Sequence, residues 1–166
     1  MDTFKKRVLE TKTIAVWGLG YLGYTTILRL QNEGFRAIIY DFNKERTDAL
    51  LKGGYPHSVQ REAWSKNAEL PVLDMESVTV AEEPEALLSA PVQIIAFPAR
   101  GEDGENRFAP LVQLFIDNGE ALKESLILFQ SADRPGTSEQ LFIEPLKSAG
   151  VSSAIAAAFR SDWTVE

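Results

Sequence analysis

The run Thr13-Ile-Ala-Val-Trp17 passes directly into Gly18-Leu-Gly20-Tyr-Leu-Gly23, and a helical period follows. A short apolar run that ends in glycine and leads into a helix reads as a strand-turn-helix unit, and the glycine spacing restricts what that turn can do. Gly18 permits a tight turn, Gly20 places no Cβ between the backbone and whatever approaches it, and Gly23 lets the helix pack closely on the sheet. The first amides of the helix and the positive end of its dipole then favour an anion such as a phosphate. Such glycine spacings also recur by chance, so the surrounding chain has to supply the context.

That context is an alternation of apolar runs and helical periods along the rest of the chain. Five more runs read as strands: Arg36-Ala-Ile-Ile-Tyr40, residues 77–81, Val92-Gln-Ile-Ile-Ala-Phe97, Ser125-Leu-Ile-Leu-Phe-Gln130 and residues 153–159. Between the first two strands, Gly23, Ile27, Leu30 and Gly34 fall at offsets of 4, 7 and 11, one face of a helix that Gly34 ends. Further helices are expected at 43–52, at 83–89, around Leu111, Leu114, Phe115 and Leu122 with Pro110 in the first turn, and from Thr137, where Gln140 completes a capping box. Pro145 should kink or shorten the last of these. The pattern predicts an α/β fold, a doubly wound parallel sheet with helices on both faces and six strands in the order 3-2-1-4-5-6. Residues 54–76 are the least patterned, a long connection with a short helix expected at 61–68.

Asp41 stands at the end of the second strand, 23 residues after Gly18. A carboxylate there accepts hydrogen bonds from the ribose hydroxyls of an adenine dinucleotide and repels a 2′-phosphate, so the chain reads as a binder of NAD in preference to NADP. Arg46 has two readings: an acceptor of phosphate, or a solvated helix residue. The backbone of Gly18, Leu19, Gly20, Tyr21, Leu22 and Gly23 should meet the pyrophosphate, and Phe97, Pro98 and Ala99, at the carboxyl end of strand four, should meet the ligand at the switch point of the sheet.

Composition narrows the alternatives. Seventeen basic against twenty-four acidic residues leave a net charge of −7, a poor footprint for nucleic acid. There is no Cys, which excludes disulfides, thiolate metal sites and a thiol nucleophile within these 166 residues. The longest uncharged run, 13–28, has 16 residues and three glycines, short of a membrane span, and Glu10 and Lys12 interrupt any signal-peptide pattern. A soluble, cytoplasmic protein of one domain, 1–166, is expected.

Several marks together resemble the UDP-glucose/GDP-mannose dehydrogenase family and its N-terminal NAD-binding Rossmann domain. Ile14-Ala-Val-Trp-Gly-Leu-Gly-Tyr-Leu-Gly23 resembles the family's G-L-G-Y-V-G, and the step from Asp41 to Arg46 resembles its ribose-binding Asp with a basic residue five positions on. Ala96-Phe-Pro-Ala-Arg100 resembles its V-P-T-P turn, and Gln130-Ser-Ala-Asp-Arg-Pro-Gly-Thr137 its E-S-T-V-x-P-G-T. The resemblance implies NAD as cofactor, Ser131 as a cofactor contact, and a reaction that oxidises the C6 alcohol of a nucleotide sugar in two steps. It also implies a Cys nucleophile in a following domain, so that the chain reads as a cofactor domain cut from a longer enzyme, with the sugar bound only when that domain is present. Ala99, Arg100, Gln130 and Ala132 depart from the family pattern, and the hydroxyl lost at Ala132 removes a polar group that the family's chemistry uses. Pro135-Gly136 is equally readable as an ordinary turn before a helix.

A second class of function fits the same turn and acid: a non-enzymatic nucleotide-sensing module of the kind that regulates potassium transport, working as a homodimer. A hydroxyacid dehydrogenase-type cofactor domain shares the fingerprint but not the tyrosine-bearing turn or the P-G-T. His57 lacks a Ser or Cys companion and reads as a surface histidine. Glu82, Glu83, Glu102, Asp103 and Glu105 read as solvated acids without the convergence a metal site needs. Trp17 reads as core.

Overall fold

The computed structural model describes residues 3–56, 59–60, 70–123, 125–130, 134–151 and the backbone of 154–157. The short helix expected at 61–68, His57, Ser131 and Ala132 lie outside the described residues. Strands β1 (Thr13–Trp17), β2 (Arg36–Tyr40), β3 (Val78–Val80), β4 (Val92–Ile95), β5 (Leu126–Phe129) and β6 (Ala154–Ala157) line up in the order β3-β2-β1-β4-β5-β6. The pairs from β3 through to β6 are all parallel, with Ile14 opposite Ala37 on one side of β1 and opposite Val92 on the other.

Strand periodicity divides the core in two. On β1, Ala15 and Trp17 enter one apolar cluster while Ile14 and Val16 enter another, the consequence of side chains alternating across the pleat. The Trp17 side receives Ile95, Ile127 and Phe129 from the sheet and Leu111, Val112 and Phe115 from the helix Ala109–Asp117. The Val16 side receives Tyr24 and Ile27 from the helix Tyr21–Asn32 and Leu50 from the helix Lys44–Leu51. Helices therefore cover both faces, as the unbroken apolar strands require.

One helix was not legible in the sequence. Thr3–Thr11, α1, precedes β1; Phe4 and Val8, one turn apart, pack on the Val16 side, and Arg7 Nη2 donates to the Ser89 carbonyl at 3.0 Å. Only two apolar residues anchor it among lysines, too few to stand out as a period. The helix between β1 and β2 is α2 (Tyr21–Asn32), followed by α3 (Lys44–Leu51), which Asn43 caps by accepting from the Glu45 amide at 3.0 Å. The residues expected as a third helix form a 3-10 turn, Pro84–Ser89, with Glu83 as its N-cap.

The helix after β4 is α4 (Ala109–Asp117), and it ends before Leu122. Leu122 is still fully buried, held by a following turn in which the Leu122 amide donates to the Gly119 carbonyl, so its spacing reports burial and not helix. The expected capping box at Thr137 is not formed: the Gln140 amide donates to the Gly136 carbonyl at 3.0 Å, an ordinary helical bond. Pro145 acts as expected, by a specific device. Residues Glu139–Ile143 form a π-helical turn immediately before α5 (Glu144–Ser148), accommodating a proline that lacks the amide and crowds the carbonyl four residues back.

Candidate functional site

Gly18, at the end of β1, has φ +100, a region that side chains with a Cβ rarely enter. Its amide donates to the Tyr40 carbonyl at 2.9 Å, which fastens the turn to the end of β2. A Cβ at Gly18 would stand 3.1 Å from the Phe97 Cβ and 3.2 Å from the Ala96 backbone. At Gly23 a Cβ would lie 2.0 Å from the Gly18 carbonyl oxygen, but 3.5 Å from Ala96 of the sheet. The third glycine therefore exists chiefly for the turn's own backbone, where the sequence suggested helix-on-sheet packing. Gly20 differs from both, because a Cβ built there meets no atom within 4 Å. Gly20 is also the N-cap of α2 and no side chain caps that helix. The turn thus presents an open face beside a helix start that its own side chains leave uncovered.

Asp41 follows β2 and is buried, with its side chain 6% exposed. Its Oδ2 accepts from the Leu19 amide at 2.6 Å and from Arg46 Nη1 at 3.1 Å, and its Oδ1 accepts from the Asn43 amide at 2.8 Å. One carboxylate so joins the glycine turn, the end of β2 and the first turn of α3. A carboxylate offers about four acceptor positions, so room for one more donor is left. Arg46, whose side chain is 32% exposed, is the ion-pair partner of Asp41. The sequence signalled the acid but not this bracing; the Asp41-x-Asn43 spacing, which invites an Asx turn, was the available clue.

Tyr40, beside Asp41, has its hydroxyl pKa raised by burial first and then by the negative charges of Glu83, Glu85 and Asp41. Glu83 and Glu85 thus place negative charge beside Tyr40, at the carboxyl end of β2.

From β4 come Phe97, half-buried, Pro98, exposed, and Ala99, fully buried. The Phe97 ring meets that of Phe42, the residue after Asp41, edge-on with centroids 6.1 Å apart. Gln130, after β5, has its amide on the Ile95 carbonyl at 3.0 Å, and its Oε1 accepts from Thr26 Oγ1 of α2 at 2.8 Å. Pro135-Gly136 makes a turn, with φ +85 at Gly136 and the Thr137 amide on the Arg134 carbonyl at 3.1 Å. Of the residues singled out from the sequence, 18–23, Asp41, Arg46 and Phe97 converge at the carboxyl ends of β1, β2 and β4. Leu22 is an exposed apolar side chain of that turn, and Leu19 is wholly buried.

A hollow of about 470 Å³ lined by Ile116, Asn118, Gly119, Lys123 and Val151 opens where α4 ends, at the opposite edge of the sheet from the glycine turn. It contains none of these groups. Among the described residues no helix is long and apolar enough to cross a membrane.

No protein-family model matches the chain. A curated relative, UDP-N-acetyl-D-mannosamine dehydrogenase of Pyrococcus horikoshii, is 28% identical over 134 residues, which cover 77% of this chain and 30% of that protein. Among solved structures, a GDP-mannose dehydrogenase from Pseudomonas aeruginosa aligns with TM-score 0.59 at 17% identity, over 87% of this chain and 34% of that one. A glycerol-3-phosphate dehydrogenase from Coxiella burnetii aligns with TM-score 0.60 at 14% identity, over 87% and 39%. At such identities the structural matches carry the fold, which is the parallel Rossmann-like sheet of dehydrogenases. The resemblance to UDP-glucose/GDP-mannose dehydrogenases drawn from the motifs is met by the comparisons, and the match lies in the N-terminal part of the curated relative. This chain spans about a third of the length of these proteins.

Proposed function

We propose that this chain is the NAD-binding domain of an oxidoreductase resembling the nucleotide-sugar dehydrogenases. The observation that carries the reading is the juxtaposition of Gly20, whose missing Cβ leaves open space, with a buried Asp41 carboxylate hydrogen-bonded to the same turn. These residues fit a dinucleotide: a diphosphate reaches backbone over Gly20 without a side chain in the way, and the unused acceptor position of Asp41 suits a ribose hydroxyl. Leu19, Tyr21, Leu22 and Gly23 complete the cradle, with Phe97, Pro98 and Ala99 on its strand-four side, and Ser131 is a further cofactor contact that the family resemblance implies. The six-stranded sheet, with Ala154–Ala157 at its edge, belongs to the same reading.

Negative potential from Glu83 and Glu85 around Tyr40 supports NAD over NADP, since a 2′-phosphate would be brought among carboxylates. Arg46 neutralises Asp41, so the charges that bear on a 2′-phosphate are those of Glu83 and Glu85. Bound in the crevice, NAD would supply the hydride acceptor for oxidation of an alcohol. The chain's own part is to hold and orient it. The sugar C6 oxidation calls for a thiol nucleophile, and these 166 residues contain no Cys, so that chemistry needs a second domain.

Calorimetric titration with NAD and NADP tests the reading. We expect saturable binding of NAD and affinity for NADP lower by at least about tenfold, or 1.4 kcal/mol. Absence of NAD binding at about 1 mM would overturn the proposal. Equal binding of the two cofactors would overturn the choice of NAD.

A further inference from the structure

We propose that Phe42 is an adenine-stacking residue, its half-exposed ring forming with Phe97 an aromatic seat for the base. The inference deepens the dinucleotide reading above and rests on it. Phe42 directly follows Asp41, and β2 and β4, which lead into Phe42 and Phe97, flank β1 on either side. The two rings meet over the carboxyl end of β1, where the chain order of the sheet reverses and ligands of open parallel sheets bind. A base joined to a ribose held at Asp41 lies within one residue's reach of that carboxylate, and Phe42 is the aromatic group there.

The ring is both available and fixed. Phe42 is 51% exposed, a large apolar surface that the fold itself leaves uncovered. It is nevertheless held by two perpendicular contacts, with Tyr40 at 5.3 Å and 90° and with Phe97 at 6.1 Å and 79°. The exposed half of the ring is open to a third partner, and a ring already oriented loses little freedom when a base lies on it. Phe97 is in turn seated on Phe108, which is wholly buried, so the seat is anchored in the core. A purine face is the partner that such a pair accommodates, because stacking on aromatic side chains needs no hydrogen-bond complement.

The experiment compares Phe42→Ala and Phe42→Tyr with the unaltered protein by calorimetric titration of NAD and of ADP-ribose, which keeps the adenosine diphosphate but lacks nicotinamide. We expect Phe42→Ala to weaken both ligands by the same factor, about tenfold, and Phe42→Tyr to restore both. Thermal melting without ligand should be nearly unchanged in either variant, because the ring is half in water; it verifies that any loss of affinity is not a loss of fold. Unchanged NAD affinity in Phe42→Ala, or a loss confined to NAD, would overturn the stacking role while leaving the dinucleotide reading in place. If the unaltered protein binds neither ligand, the dinucleotide reading itself fails and the stacking role with it.

Discussion

The three glycines of the turn carry different loads, and one methyl group separates them. At Gly23 a Cβ would sit 2.0 Å from the Gly18 carbonyl, backbone that no rotamer change can move, so Gly23→Ala must push α2 away from the turn. We expect that substitution to cost roughly 2–3 kcal/mol and to lower the melting temperature by about 4–10 °C. Gly20→Ala adds its methyl to open space; melting should stay within about 1 kcal/mol of the parent while NAD affinity falls, since the methyl occupies the cradle's face. Thermal denaturation and NAD titration of the two variants check the contrast, and equal melting losses would refute it. At this scale the turn was legible in the sequence, because its glycines stand between a strand-like apolar run and a helical period. It did not show that Asp41 braces Leu19, Asn43 and Arg46, or that Phe42 leans on Phe97. The Leu19–Asp41 and Phe42–Phe97 contacts join residues from separate strands, and only the sheet order brings them together.

At the scale of elements, α2 does more than carry the cradle. Its Tyr24 hydroxyl donates to the Pro71 carbonyl at 3.1 Å and accepts from the Leu73 amide at 3.2 Å, and one helical stretch later Gln31 reaches Asp74 and Ser77. The helix thereby clasps the end of the long connection that leads into β3. Tyr24 is wholly buried, and burial is the main reason its pKa is pushed up to about 12 from 10.0. A raised folded-state pKa means that the native chain retains a proton which the unfolded chain has lost, so stability is full below about pH 10 and declines between pH 10 and 12. Denaturant unfolding at stepped alkaline pH should show this decline, and Tyr24→Phe should remove the Tyr24 component of it. The same variant should cost roughly 1–3 kcal/mol at neutral pH, because the Pro71 carbonyl and Leu73 amide lose their partner. A variant with an unaltered alkaline profile would refute the assignment to Tyr24. None of this clasp was legible beforehand: Tyr24 and its partners Pro71 and Leu73 stand in stretches whose pairing depends on the path of a patternless connection. The helices with sustained periods, α2, α3 and α4, were legible, whereas α1, with two apolar anchors, was not.

Across the whole molecule, the sheet separates two cores of unlike chemistry. The Val16 side is largely aliphatic; the Trp17 side is a closed circuit of rings, from Trp17 through Tyr40, Phe42, Phe97, Phe108, Phe142 and Phe115 back to Trp17, each step between 5.3 and 6.2 Å. This circuit runs from the proposed base seat into the deepest part of the protein. It also encloses one polar centre: Gln93 of β4, wholly buried, accepts from Trp17 Nε1 at 2.8 Å and donates to the carbonyls of Leu87 and Ala90, both at 2.8 Å. A buried amide is tolerable only when every member of its network is satisfied. Trp17→Phe removes one donor and leaves Gln93 Oε1 facing apolar rings, while the smaller ring opens a void against Tyr40 and Phe115. Both effects act in the same direction, and we expect a loss of roughly 2–4 kcal/mol, read as a lower urea midpoint with an unchanged slope. Trp17→Leu should cost more, because it forfeits the ring contacts as well as the donor. If Trp17→Phe were neutral, neither the indole–amide bond nor the extra size of the indole would contribute to the fold.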